Sequence, residues 1–294
     1  MSKEAKLSRS LITSASIPRE AEVMLTLRAD GTVEDQFFKT PAVSGNDNYV
    51  AGSKYAILKG IGYLFGSTDN YKIAMLHCCE FVELSVRLNL KVQSHSSILT
   101  VVEPTKSYIL ICFGSAPNTD CEIFDGTSVT QLGFQSNYDH YSGCLVSYNG
   151  TPTAVKSKYS GGNQKVEILG ASSWTEIADH PGVSFAQGCV EVENGFLTLG
   201  GKDPSTSVDI LDIHLLRNDV WSNVGTLQKG VKGPGVISFG QKILVVGGVD
   251  PDGAEVESLQ WDGNNVTSSE IIYSLTEAST RPMVFRASSG MCPP

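Results

Sequence analysis

AQGCVEVENGFLTLGG, residues 186–201, alternates through Cys189, Val190 and Val192, turns on Asn194-Gly195, and runs through Phe196 and Leu197 to a diglycine. Asn-Gly between two apolar runs is the strongest short-range hairpin signal, because both central residues of a type I′ turn need positive φ. A polar loop, KDPSTS, follows; then come SVDILDI at 207–213 and NDVWSNV at 218–224, so the unit reads as four strands, a to d. Apolar runs that stop on glycine recur outward from this unit: YLFGS at 63–67, ICFGS at 111–115, SKYSGG at 157–162 and LVVGG at 244–248. Their first glycines, at 66, 114, 161, 200 and 247, stand 48, 47, 39 and 47 residues apart. A β-type unit repeating at about 40–50 residues is the signature of propeller blades.

The remaining strands follow the same grammar. Strand a recurs as SKYAIL, SSILTVV, SGCLVSY, GPGVISF and RPMVFRAS, and strand c as KIAML, CEIF, VEIL, VDIL and VESL. Four of the c segments carry an acid in second place: Glu122, Glu167, Asp209 and Glu257. Each lies on a separate sheet, so they read as register markers at blade interfaces or in solvent, not as a cation ring. A diglycine after b, an apolar c, and a Trp on d (Trp174 and Trp221) resemble the kelch repeat over roughly residues 50 to 287. The second and third units have Gly66-Ser67 and Gly114-Ser115 in place of diglycine, and the sixth has Trp261 near strand c with Val266 in the strand d position. The resemblance implies an all-β, six-bladed kelch-like β-propeller with four-stranded antiparallel blades. The ends decide closure. EVMLTLRADGTVEDQFF at 22–38 reads as c and d strands without a or b, and residues 279–292 as an a strand with a stub of b. Pairing the N- and C-terminal strands closes the ring and hides two apolar edges. Residues 1–20 are expected to be a flexible N-terminal segment, and 21–294 a single propeller domain.

A net charge of −9 argues against nucleic acid or an anionic membrane as partner, since both select clustered Lys and Arg. No run reaches the roughly 18 apolar residues of a membrane span, and the N-terminus has no apolar h-region. The cytosol is the default location; secretion would follow if a leader had been removed. Seven cysteines without a CxxC show no disulfide framework. Cys144 and Cys189 read as small core filler in equivalent segments. Cys112 ends one strand and Cys121 begins the next, a geometry that invites a bridge in an oxidising compartment. Asn149-Gly150-Thr151 and Asn265-Val266-Thr267 are glycosylation sequons, a loose pattern by themselves.

Chemistry finds little foothold. His77-Cys78-Cys79 lies on a strand, where neighbours face opposite ways, and no second ligand pair has zinc spacing. The glycines of Gly60-Ile61-Gly62-Tyr63-Leu64-Phe65-Gly66 miss GxGxxG by one residue, and no helix follows. Kelch-like propellers include copper oxidases and sugar mutarotases, but neither a Tyr, Tyr, His, His set nor a Glu and Arg pair falls on matching positions. No catalytic residue, metal or cofactor is therefore assigned. The expected function is non-catalytic and protein-binding, carried by a monomer through loops on one rim. The d-to-a loop offers Tyr138, Asp139, His140 and Tyr141, and the b-to-c loops add Asn70, Asn118, Lys202 and Asp250. Tyrosine suits such a role, bringing apolar area and a polar tip at low entropy cost. The alternative is a carbohydrate-active or oxidoreductase propeller with its site at the channel mouth.

Overall fold

A computed structural model describes residues 53–66, 71–77, 80–93, 96–114, 119–158, 161–248, 255–274 and 282–287, and the strand backbones at 9–14, 23–27 and 33–37. The chain is an all-β propeller with four-stranded antiparallel blades. Blade I contains β4 (Lys54–Leu58), β5 (Ile61–Phe65), β6 (Ile73–His77) and β7 (Glu80–Glu83). Blade II contains β8 (Ser97–Val102), β9 (Ser107–Cys112), β10 (Cys121–Phe124) and β11 (Val129–Gln131). Blade III follows with β12 (Cys144–Tyr148), β13 (Thr151–Val155), β14 (Val166–Leu169) and β15 (Trp174–Glu176). Blade IV has β16 (Gly188–Val192), β17 (Gly195–Leu199), β18 (Asp212–Arg217) and β19 (Val220–Thr226). Blade V has β20 (Gly235–Phe239), β21 (Lys242–Val246), β22 (Glu255–Trp261) and β23 (Val266–Ser274).

These five blades are built from consecutive strands. A further four-stranded sheet unites the chain ends in the order β24-β1-β2-β3, where β24 is Met283–Ala287, β1 Arg9–Ser14, β2 Val23–Leu27 and β3 Val33–Phe37. Residues 22–38 supply its two outer strands as expected. The second strand is different: it is β1, paired with β24 from Ser10↔Ala287 to Ser14↔Met283, and not a stub from the C-terminus. The segment 1–20, expected to be flexible, therefore carries a central strand of a sheet, and the folded domain begins before residue 21. RSLITS has the β-branched content of a strand, but the polar residues around it masked that reading.

The core lies between blades. One cluster joins blades I and II through Phe65, Ile109 and Phe124, and another joins IV and V through Leu197, Leu215 and Leu259. Strand b carries most of this burial: β17 is buried at all five positions and β21 at four of five. It has a neighbour on both edges and a blade on both faces, which explains the near-continuous apolar runs.

Two elements depart from expectation. In blade III strand b is Thr151–Val155, and the described residues of SKYSGG, 157–158 and 161–162, lie in the following loop. Pro152 hid the strand, because proline removes a ladder donor and demotes a run. In blade IV strand c is Asp212–Arg217, so most of 207–213 is also loop, with Asp209 in an isolated bridge to Lys202. The corrected repeat marker is the positive-φ residue after strand b. It falls at Gly66, Phe113, Lys156, Gly200 and Gly247, giving spacings of 47, 43, 44 and 47 residues. Two of the five are not glycine, so the marker is conformational, and glycine is its cheapest occupant.

Candidate functional site

The d-to-a linkers and b-to-c loops leave the blades on one face, held there by buried carboxylates on strand c. Glu122 accepts from the backbone N–H of Asn89 and Leu90, each at 3.0 Å, and from Asn89 Nδ2 at 3.1 Å. Glu167 accepts from the N–H of Asn137 and Tyr138 at 3.1 and 3.2 Å, and its Oε2 lies 2.8 Å from His140 Nε2. Glu257 accepts from the N–H of Gln228 at 2.9 Å and also binds Ser269 Oγ. Each acid clamps the linker entering its own blade, so three of the four are interface anchors buried to 3% exposure or less. Asp209 is the exception: it leaves the series with its loop and pairs with Lys202 at 3.5 Å.

The same position titrates differently in different blades. Burial pushes Glu122 upward and outweighs the bonds from Leu90 and Asn89. Burial also acts on Glu167, but the hydrogen bond and charge of His140 and the Asn137 bonds prevail and hold it below the usual carboxylate range. Blade IV replaces the acid with His214, as the pairings Ala154↔Glu167 and Thr198↔His214 establish. Here the linker is held by His180, whose Nε2 lies 2.9 Å from Thr198 Oγ1, with its ring centroid 4.8 Å from that of His214. Beside them Lys156, 3% exposed, donates to Ser184 Oγ at 2.6 Å. Burial lowers the Lys156 amine to about 7 and holds both histidines down, with the Lys156 charge adding to that effect on each.

Of the rim residues expected to bind, His140 is fully buried and serves the Glu167 clamp, so it presents no contact surface. Tyr138, Asp139 and Tyr141 are half-buried. The Tyr138 hydroxyl donates to Glu176 at 3.0 Å, which raises its pKa, and Lys165 lies 5.5 Å from its ring centre. Lys165 in turn bridges Glu176 and Asp179, each at 3.1 Å. Asp139 Oδ1 accepts from the Tyr141 N–H at 2.8 Å, closing an Asx turn. Asn70, Asn118 and Asp250 lie outside the described residues.

Lys202 leads to residues that sequence reasoning missed. It pairs backbone to backbone with Phe185, both bonds at 3.0 Å. The half-buried Phe185 ring has Lys158 Nζ at 5.5 Å and Lys232 Nζ at 5.2 Å from its centre. Lys158 N–H donates to Tyr141 O at 2.9 Å, so the tyrosine loop and the lysine-flanked ring form one continuous patch. The lysines are far apart in sequence, and SKYSGG, taken as the end of strand b, places Lys158 on a strand instead of in the loop where it lies.

At the centre the inner strands surround a cavity of about 180 Å³, lined by Ser97, Gly143, Cys144, Gln187, Cys189 and Pro234 among others. Gln187 Nε2 donates to Val155 O at 3.2 Å, and its buried Oε1 has no partner among the described residues. Cys144 and Cys189 are joined by a disulfide across blades III and IV, with Cα atoms 6.3 Å apart, and are not mere filler. The reason is geometric: from blade III round to β24, the first residue of one inner strand packs on the second of the next. A Cβ on Gly188 would meet Val236, and one on Gly235 would meet Val284. Cys144 and Cys189 occupy that contact between III and IV. A second disulfide joins Cys112 to Cys121, which are directly opposed in the β9–β10 register with Cα atoms 4.2 Å apart. No group of three or more His, Cys, Asp or Glu that could hold a metal ion occurs among the described residues.

No family model matches the chain, and no curated protein matches it. Among solved structures it is similar to that of YjhT, with a TM-score of 0.67 at 13% identity, over 90% of this chain and 98% of that one. Likeness at that identity establishes the shared propeller fold.

Proposed function

We propose that this chain is a kelch-like, non-catalytic binding propeller whose linker face takes an acidic protein segment. The observation that carries the reading is Phe185, set between Lys158 and Lys232 on a chain of net charge −9. An aromatic ring flanked by cations complements a carboxylate-rich peptide with an apolar anchor, and local positive charge on an acidic protein is a field that steers such a ligand. The Glu167 clamp adds pre-organisation. It fixes the linker bearing Tyr138 and Tyr141 before any partner arrives, which lowers the ordering cost of association. We also propose that the terminal sheet completes a six-bladed closed ring, because β24 lies against β20 on one side and β4 on the other.

Selection from a displayed peptide library, followed by affinity measurement on the purified chain, tests this. Acidic peptides should emerge, and their binding should weaken as salt rises. Phe185→Ala, or Tyr138→Ala with Tyr141→Ala, should weaken binding about 10- to 100-fold while the melting temperature stays nearly unchanged. Selection of neutral or basic peptides, or affinity indifferent to both variants, defeats the assignment. A second reading, a small polar ligand at the channel mouth, is favoured by the unpaired Gln187 Oε1 beside the central cavity. It predicts stabilisation by a neutral hydrogen-bond donor that Gln187→Leu abolishes.

A further inference from the structure

The a-to-b and c-to-d turns emerge on the opposite face. There Asn149, Asn194, Asn218 and Asn264 line one open groove of about 420 Å³ with Glu193 and Arg217. Arg217 is already committed. Its Nη1 donates to Asn264 Oδ1 at 2.9 Å, and its Nη2 to Glu193 O and Gly263 O at 2.9 and 2.7 Å, so it braces the floor. The remaining polar side chains are the carboxamides of Asn149, Asn194 and Asn218, which offer paired donors and acceptors, and the Glu193 carboxylate, which accepts only. That is the complement of a sugar's hydroxyl and acetamido groups. Asn149 is also the first residue of Asn149-Gly150-Thr151, exposed at the tip of a turn with φ of 51° and 75° at its two central residues. The two disulfides fit a chain that matures in an oxidising environment.

We propose that Asn149 is an N-glycosylation site and that the first N-acetylhexosamine of its glycan seats in this groove. The donor class is a polyprenyl-pyrophosphate-linked oligosaccharide. Asn149 Nδ2 forms the bond to the anomeric carbon, the carbon–oxygen bond to pyrophosphate breaks, the polyprenyl pyrophosphate leaves, and Nδ2 gives up one proton. The glycan then lies along the turns of blades III, IV and V, on the face away from Phe185 and the tyrosine loop, so it leaves that surface open.

The test directs the full chain through the secretory route of a eukaryotic host and examines it by glycopeptide mass spectrometry. Asn149 should carry glycan, and Asn149→Gln should lose it. Seating in the groove is read from the rate at which a peptide-N-glycosidase releases that glycan: at least about tenfold slower from the folded than from the denatured chain. Asn194→Gly with Asn218→Gly removes two carboxamides yet keeps the positive φ of both positions, and should abolish the difference. A secreted, folded chain with bare Asn149 overturns the site. Equal release from folded and denatured wild type overturns the seat, and that comparison needs no variant.

Discussion

Lys156 combines a buried amine with a strained backbone conformation. It sits at the positive-φ position, 59°, that three of the five blades give to glycine, and its amine is buried against a single hydroxyl. Its pKa falls to about 7 from the ordinary lysine value of 10.5 because burial penalises the charge. The sign follows from proton binding. Between about pH 7 and 10.5 the unfolded chain holds a proton that the folded chain has released, so stability rises with pH over that window; below 7 both states hold it and the full penalty stands. A shift of that size is on the order of 5 kcal/mol. His180 and His214, pushed down by burial, lose further stability as pH falls below the ordinary histidine value. Melting temperature should therefore climb between pH 7 and 9 in the wild type. In Lys156→Met it should be higher at pH 7 and flat across that range, even after the loss of about 1–3 kcal/mol from leaving Ser184 unpaired. A wild-type curve flat from pH 7 to 9 would remove the charge penalty from the account.

At the scale of elements, the clamp on strand c is the device that turns separate sheets into a rim. Glu167→Ala should cost about 3–5 kcal/mol, because it leaves buried His140 and two part-buried linker N–H groups without their acceptor. Since the Glu167 carboxyl is held low, its contribution is present above the ordinary carboxylate range and is lost as pH falls through the lowered value. Chemical denaturation of the variant at neutral pH checks the magnitude, and a cost under about 1 kcal/mol would demote the clamp to a surface contact. The acid in second place of strand c was legible as a repeated mark, and interface placement was among the readings open to it. Its bonding was not, because the linker donors lie about 30 residues away in sequence. Strand a was legible in every unit, since its alternation survives, and in blades I, III and IV a turn on Lys59-Gly60, Asn149-Gly150 or Asn194-Gly195 marks its end. Strand b of blade III was not, because Pro152 and Thr153 interrupt the apolar run while Gly161-Gly162 supplied a false marker nearby. The patch around Phe185 was illegible for the same reason as the clamps: Lys158, Phe185 and Lys232 come from three separate loops.

The whole molecule depends on how its ends meet. The terminal sheet takes β24 from one end and three strands from the other, with β24 in the inner position. Val284 of β24 packs with Leu244, Val246 and Val256 of blade V, and the glycine at 235 is what lets Val284 approach that closely. On its other side β24 meets β4 of blade I. Removing it bares the edge of β1, the apolar face of blade V and the inner strand of blade I together, and an unpaired apolar edge is a liability that closed β architectures avoid. Deleting residues 279–294 should therefore lower the melting temperature by about 10 °C or more, since losing several kcal/mol of interface shifts a domain of this size by that much. Gly235→Val is the companion variant. It keeps every strand but places side-chain atoms where Val284 now sits, so it should reproduce part of the loss without shortening the chain. Both are read by thermal unfolding, with light scattering to follow edge-driven association. If the truncated chain melts within a degree or two of the full one and stays monodisperse, blades I and V do not depend on β24, and the ring is not closed through it.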